Sequence, residues 1–185
     1  AQNTQGVTGV HVVPTDFVAL QLETLIEDVR LDAIKIGMLA NAAIVGTVAD
    51  FLRRHSNESE LFDCVVLDPV MVATSGDRLL DDDAVQAMRD LMPLASLVTP
   101  NLAEAAALLD TRPARTLADM RLHAVALQGL GAPRVLIKGG HREDGPDAVD
   151  LFLDLDGETS LRAARVDTLH THGHGCTLTS PLAAL

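Results

Sequence analysis

Apolar positions along this chain follow two rhythms that take turns. Over residues 16–29, Val18, Leu22, Leu25, Ile26 and Val29 form a helical stripe, with Pro14, Thr15 and Asp16 as its start signal. Ala33-Ile34-Lys35-Ile36 is short, rich in β-formers and closed by Gly37. The helical rhythm returns over 41–55, capped by Asn41. Cys64-Val65-Val66-Leu67 is apolar on both faces, as a central parallel strand requires. Three acids, Asp81 to Asp83, favour a helix N-terminus ahead of 84–92. Leu97-Val98-Thr99 is a strand stopped by Pro100. Asn101 opens an Ala-rich helix to Leu109, and 116–130 is another helix, ended by Gly131. Arg134 to Lys138 is a further β-rich run before Gly139-Gly140.

Strands and helices that alternate with short links predict an α/β fold with a mainly parallel sheet. Near the end the rhythm changes. Residues 149–154 and 161–166 flank Asp156-Gly157 and read as a hairpin on the sheet edge. A glycine-rich turn, Gly173 to Gly175, then leads into a helix from Cys176. There is no linker, internal repeat or low-complexity tract, so residues 1–185 read as one domain.

Composition narrows this picture. The 185 residues suit one α/β domain, and 48% hydrophobic content excludes a disordered chain. With no Trp or Tyr and four Phe, aliphatic side chains must fill the core. A net charge of −12 argues against nucleic-acid partners, which need basic surface. It leaves room for a nucleotide, since helix N-termini and one Lys can hold a phosphate locally. Cys64 and Cys176 are the only cysteines and form no C-x-x-C pair, so a reduced cytoplasm is expected. No apolar run approaches the roughly 20 residues of a membrane helix. The first segment is already motif-like, and 182–185 ends without a helix stop signal. The chain therefore reads as part of a longer protein.

Open α/β sheets bind ligands beyond the carboxyl ends of their strands. Four such ends carry polar residues. Asp68, before Pro69, is either a turn residue or a carboxylate for Mg²⁺. Asn101 caps a helix, and Glu104 three residues on is either half of a capping box or an outer ligand of the same metal. Lys138-Gly139-Gly140 is either a plain turn or a phosphate approach with a neutralising ammonium. Gly173-His174-Gly175-Cys176 aims backbone N–H groups and a helix dipole at one point, an anion hole. Cys176 there is either a thiol poised toward thiolate or a small buried side chain. No G-x-x-x-x-G-K-[ST] motif occurs, so the site is not of the Walker type.

The segments AQNTQGV, KIGMLA, VVLDPVM, SGDRLL, VTPNLAEAAALL, KGGH and THGHGCTL resemble, in this order, the hydroxymethylpyrimidine/phosphomethylpyrimidine kinases of the ribokinase-like superfamily. The resemblance implies a three-layer α/β/α fold with a mainly parallel central sheet. It implies ATP-dependent phosphorylation of 4-amino-5-hydroxymethyl-2-methylpyrimidine and then of its monophosphate, in thiamine synthesis. By the same resemblance Gln2, Met38 and Val70 form the pyrimidine pocket. Asp68 and Glu104 serve Mg²⁺, and Asn101, Lys138, Gly139 and His174 lie on the ATP side. Gly173 and Gly175 build the anion hole, and Cys176 takes the proton from the substrate hydroxyl. The expected assembly is a homodimer.

Three features depart from the family. His174 replaces the usual Thr of G-T-G-C. Pro181 falls inside the last helix, where it removes a hydrogen bond to Thr177 and costs roughly 3 kcal/mol if unrelieved. The family's first strand and last helical part are missing, so this stretch alone is expected to aggregate or lack activity. Pyridoxine-type alcohols are the alternative substrates. A rival of another class is a Zn²⁺ module built from His170, His172, His174 and Cys176 on one face of an extended strand.

Overall fold

The computed structural model describes residues 2–3, 6–56, 64–71, 82–140, 147–164 and 174–184. A two-stranded antiparallel hairpin comes first, β1 (Gln2–Asn3) with β2 (Gly6–Val7). Sequence reading missed it, because two-residue strands carry no periodicity. Then follow α1 (Thr15–Asp28), β3 (Ile34–Ile36), α2 (Ala42–His55), β4 (Val65–Leu67), α3 (Asp82–Leu91), β5 (Leu97–Val98), α4 (Leu102–Leu109), α5 (Leu117–Gly129), β6 (Val135–Ile137), β7 (Asp147–Leu153), β8 (Glu158–Ala164) and α6 (His174–Ala183).

Among the described residues, six strands form one sheet in the order β3-β4-β5-β6-β7-β8. The first four are parallel and the last two antiparallel. This is the expected α/β sheet with an edge hairpin. Strand order follows chain order, so each right-handed crossover lands its helix on the same face. Helices α2 to α5 accordingly pack in a row, each against the next. Val65, Leu67, Val98, Val135, Ile137 and Leu151 meet them in the main core, with Met88, Leu108, Met120 and Leu127. Phe51 is the one aromatic residue of that core among the described residues, and aliphatic packing is the rule.

The helix starts follow the chemistry of their caps. Asn41 Oδ1 accepts from the Ile44 N–H at 2.9 Å. Thr116 and Asp119 form a reciprocal capping box on α5. A 3-10 turn, Met92–Leu94, holds Pro93 just beyond α3, where the ring ends the helix.

Several boundaries differ from expectation: α3 begins at Asp82 and β7 at Asp147, each two residues early, and two further shifts stand out. β8 begins at Glu158, three residues early, because the turn closes tightly: Asp154 Oδ1 accepts from the N–H groups of Asp156 and Gly157, and Gly157 takes φ +140°. The strand is exposed along nearly its whole length, so no apolar alternation marks its start. α6 begins at His174, two residues before the expected Cys176. Pro181 lies in its final turn, inside the helix as expected.

Candidate active site

The parity of the strands builds the site. Val65 and Leu67 point into the main core, so Val66 points to the other face, where it is also buried. The ladder runs on past the strand ends: the Asp68 N–H donates to the Ile36 carbonyl, Thr99 to Leu67, and Lys138 to Pro100, each at 2.8 Å. Asp68, Thr99 and Lys138 therefore continue the face of Val66, Leu97 and Leu136. They are the first residues beyond the apolar rungs, at the carboxyl ends of three adjacent strands.

There they meet. Lys138 Nζ donates to Asp68 Oδ1 at 2.6 Å. Thr99 Oγ1 lies 3.5 Å from the same oxygen, and Thr179 Oγ1, from α6, lies 3.4 Å from Oδ2. Asp68 is 2% exposed, Thr179 0% and the Lys138 side chain 14%. The pair is thus shielded from water, where a charge is costly unless matched.

Helix α6 approaches from this face, packed on β3 and β4. It runs antiparallel to β4, because Thr179 touches Asp68 at the strand's carboxyl end while the Ala183 carbonyl accepts from Cys64 Sγ at its start. The N-terminus of α6, with backbone residues 174–176, therefore lies at the same edge as Asp68 and Lys138. The positive end of a helix dipole belongs beside developing phosphate charge.

Glu104 is 3% exposed on α4. Its Oε2 accepts from the Asn101 N–H at 2.7 Å, while Asn101 Oδ1 accepts from the N–H groups of Ala103 and Glu104. The capping-box reading is thus correct. Asn101 also forms a parallel bridge with Lys138, which brings the head of α4 to the strand-end cluster. Burial pushes the Glu104 carboxyl up to about 7; the Asn101 and Met71 N–H groups and the Lys138 ammonium oppose the shift, and the charge of Asp68 adds to it.

Two buried carboxylates that feel each other's charge and that of one ammonium suit a hard divalent cation with oxygen ligands. Asp68 and Glu104 fit Mg²⁺ on that chemistry. Among the described residues no group of three or more His, Cys, Asp or Glu could hold a metal by itself.

Gly139 has a packing role. A Cβ there would meet the Val149 carbonyl oxygen at 2.1 Å and Met120 Cε at 2.8 Å. Its N–H donates to Asp150 Oδ1 at 2.8 Å. Gly140, by contrast, has open space around it. Val70 sits next to the cluster, its N–H donating to the Asp68 carbonyl at 2.8 Å. Met38 is 44% exposed just past β3, on the same edge. Gln2 belongs to β1 in the separate hairpin, and its side chain lies outside the described residues. So do the side chains of His174 and Cys176, and all of Gly173. The extended strand needed by the Zn²⁺ alternative is replaced by helix from His174 onward.

Sequence reading left Thr99, Thr179 and Asp150 without roles. Thr99 carried a signal, a polar residue on the parity of the strand end. The other two carried none, since a contact across 111 residues and an antiparallel register arise only on folding.

The family model described as phosphomethylpyrimidine kinase matches residues 1–185. The chain belongs to this family. Its relatives include the hydroxymethylpyrimidine/phosphomethylpyrimidine kinase of Salmonella typhimurium, 50% identical over all of this chain and 68% of that protein. The chain thus spans about two thirds of that relative. Among solved structures, the ADP complex of Bacillus subtilis pyridoxal kinase matches at TM-score 0.83 and 33% identity, over 95% of this chain and 63% of that one. The phosphomethylpyrimidine kinase of Clostridium difficile matches at TM-score 0.79 and 29% identity, over 99% and 74%. Phosphomethylpyrimidine kinases are phosphotransferases, and the fold is that of these kinases, an α/β sheet with helices packed on it.

Proposed function

We propose that this protein transfers the γ-phosphoryl group of ATP to the hydroxymethyl oxygen of 4-amino-5-hydroxymethyl-2-methylpyrimidine. In a second turnover it transfers another to the phosphate of the monophosphate, within thiamine synthesis. One observation carries the reading: the Asp68–Lys138 pair and the N-terminus of α6 share the carboxyl edge of the sheet. Negative phosphoryl oxygens need an ammonium and a helix N-terminus in a water-poor site, because stabilisation of developing charge dominates phosphoryl transfer. Family membership supports the pyrimidine as acceptor.

In this reading Lys138 leaves Asp68 to face the phosphates of ATP. Asp68 and Glu104 would hold Mg²⁺, which supplies charge neutralisation to the phosphates when bound. Glu104 must be ionised for that role, and its capping bond to Asn101 fixes its orientation. Backbone N–H groups of Gly173 and Gly175 receive the transferred group. Cys176, at a helix N-terminus that favours thiolate, accepts the proton as the substrate oxygen attacks phosphorus and ADP departs. Met38 and Val70, on the same edge, flank the pyrimidine together with Gln2. His174 and Asn101 line the nucleotide side. A cytoplasmic homodimer is the assembly that goes with this reading.

An ADP-release assay on the full-length protein tests it, with hydroxymethylpyrimidine, its monophosphate and pyridoxal offered in turn. Turnover of both pyrimidines is expected. Turnover of pyridoxal alone would replace the pyrimidine reading with a pyridoxal one.

A further inference from the structure

Asp150 takes no part in the reading above, yet the fold places a half-buried carboxylate there. The register of β6 with β7, Ile137 against Leu151, continues one step to set Lys138 opposite Asp150. Both then stand on the face of the site, away from the main core. Asp150 Oδ1 accepts from the Gly139 N–H at 2.8 Å. Burial holds its carboxyl above the usual range, while the Gly139 N–H and the Lys138 ammonium oppose that shift. From the other side Gly139 is pressed against the Val149 carbonyl and Met120, with no room for a Cβ. The turn is therefore clamped at its middle residue, between a carboxylate on one face and backbone on the other. Lys138 and the open Gly140 flank that clamp.

We propose that Asp150 is a positioning residue for nucleotide binding: by holding the Gly139 amide, it fixes the direction in which Lys138 and Gly140 face the phosphates. The inference rests on the kinase reading and adds to it a residue from the antiparallel edge. Its action runs through an accepted hydrogen bond, so an amide oxygen can substitute for the carboxylate oxygen.

The test is calorimetric titration of the full-length protein with ADP in Mg²⁺ buffer, with steady-state kinetics alongside. Asp150→Ala should weaken ADP binding roughly tenfold, in line with the loss of a hydrogen bond to a charged group. It should raise KM for ATP and leave KM for the pyrimidine unchanged. Asp150→Asn, which keeps an acceptor for the Gly139 N–H, should recover most of the loss. Exchange of the Gly139 amide with solvent should quicken in the Ala variant and not in the Asn variant. If the Ala variant fails to fold, Asp150→Ser, whose hydroxyl is one bond short of Gly139, takes its place with the same expected losses. Unchanged ADP affinity, an equal rise in both KM values, or no recovery with Asn would each overturn the proposal and leave the kinase reading intact. An unmodified protein that binds no ADP would overturn both.

Discussion

Lys138 Nζ stands 2.6 Å from Asp68 Oδ1, joining the ends of β6 and β4 across 70 residues of sequence. The pair is shielded, so each charge depends on the other. Lys138→Met should lower unfolding stability by about 3–5 kcal/mol, because it leaves the Asp68 carboxylate buried and unmatched. It should also weaken nucleotide binding by on the order of 10- to 100-fold. Mn²⁺ binding without nucleotide, read by electron paramagnetic resonance, should tighten, since no ammonium then competes for Asp68. Urea titration and calorimetry give the other two quantities. Unchanged values in all three would separate Lys138 from the site.

Glu104 gives a pH dependence with a definite sign. Its carboxyl is raised from 4.5 to about 7 in the folded protein, mainly by burial. The folded state therefore holds a proton that the unfolded chain has released between those values. The associated stability is full below pH 4.5 and is lost as pH rises through 7. In chelator, Glu104→Gln should remove this dependence and gain about 3 kcal/mol on the unmodified protein between pH 5 and pH 8. Thermal melts across that range check it. A pH-independent difference would refute the shift.

Two adjacent glycines should behave oppositely. Gly139→Ala forces a Cβ against the Val149 carbonyl, which as backbone cannot swing away. A loss of about 1–3 kcal/mol is expected from the overpacking. Gly140→Ala meets nothing within 4 Å, and should stay within about 0.5 kcal/mol of the unmodified protein. Denaturant midpoints for the two variants decide the matter.

Asn101 accepts from two N–H groups at the head of α4 and sits beside Lys138. Asn101→Ala should cost about 1 kcal/mol, the usual value of a lost N-cap, whereas Asn101→Asp should cost much less. Equal melting temperatures for the two variants would mean that the cap contributes nothing here.

Cys176→Ala should lower kcat by roughly 10²- to 10⁴-fold if the thiol accepts the substrate proton. KM for ATP should hold, because the anion-binding groups are backbone N–H. An unchanged kcat would remove the thiol from the mechanism.

Local sequence was enough to place nearly every helix and parallel strand here. Apolar spacing, an Asn or Thr cap and a closing Gly or Pro act within a few residues, and so does the capping box of Asn101 and Glu104. The strand-end positions of Asp68 and Lys138 were readable for the same reason. Folding decided what those residues do together. That Lys138 reaches Asp68, that Thr179 arrives on a helix antiparallel to β4, and that Asp150 clamps Gly139 all depend on strand order and register. Those are set by burial of the whole sheet, a sum over distant residues that no short stretch of chain contains.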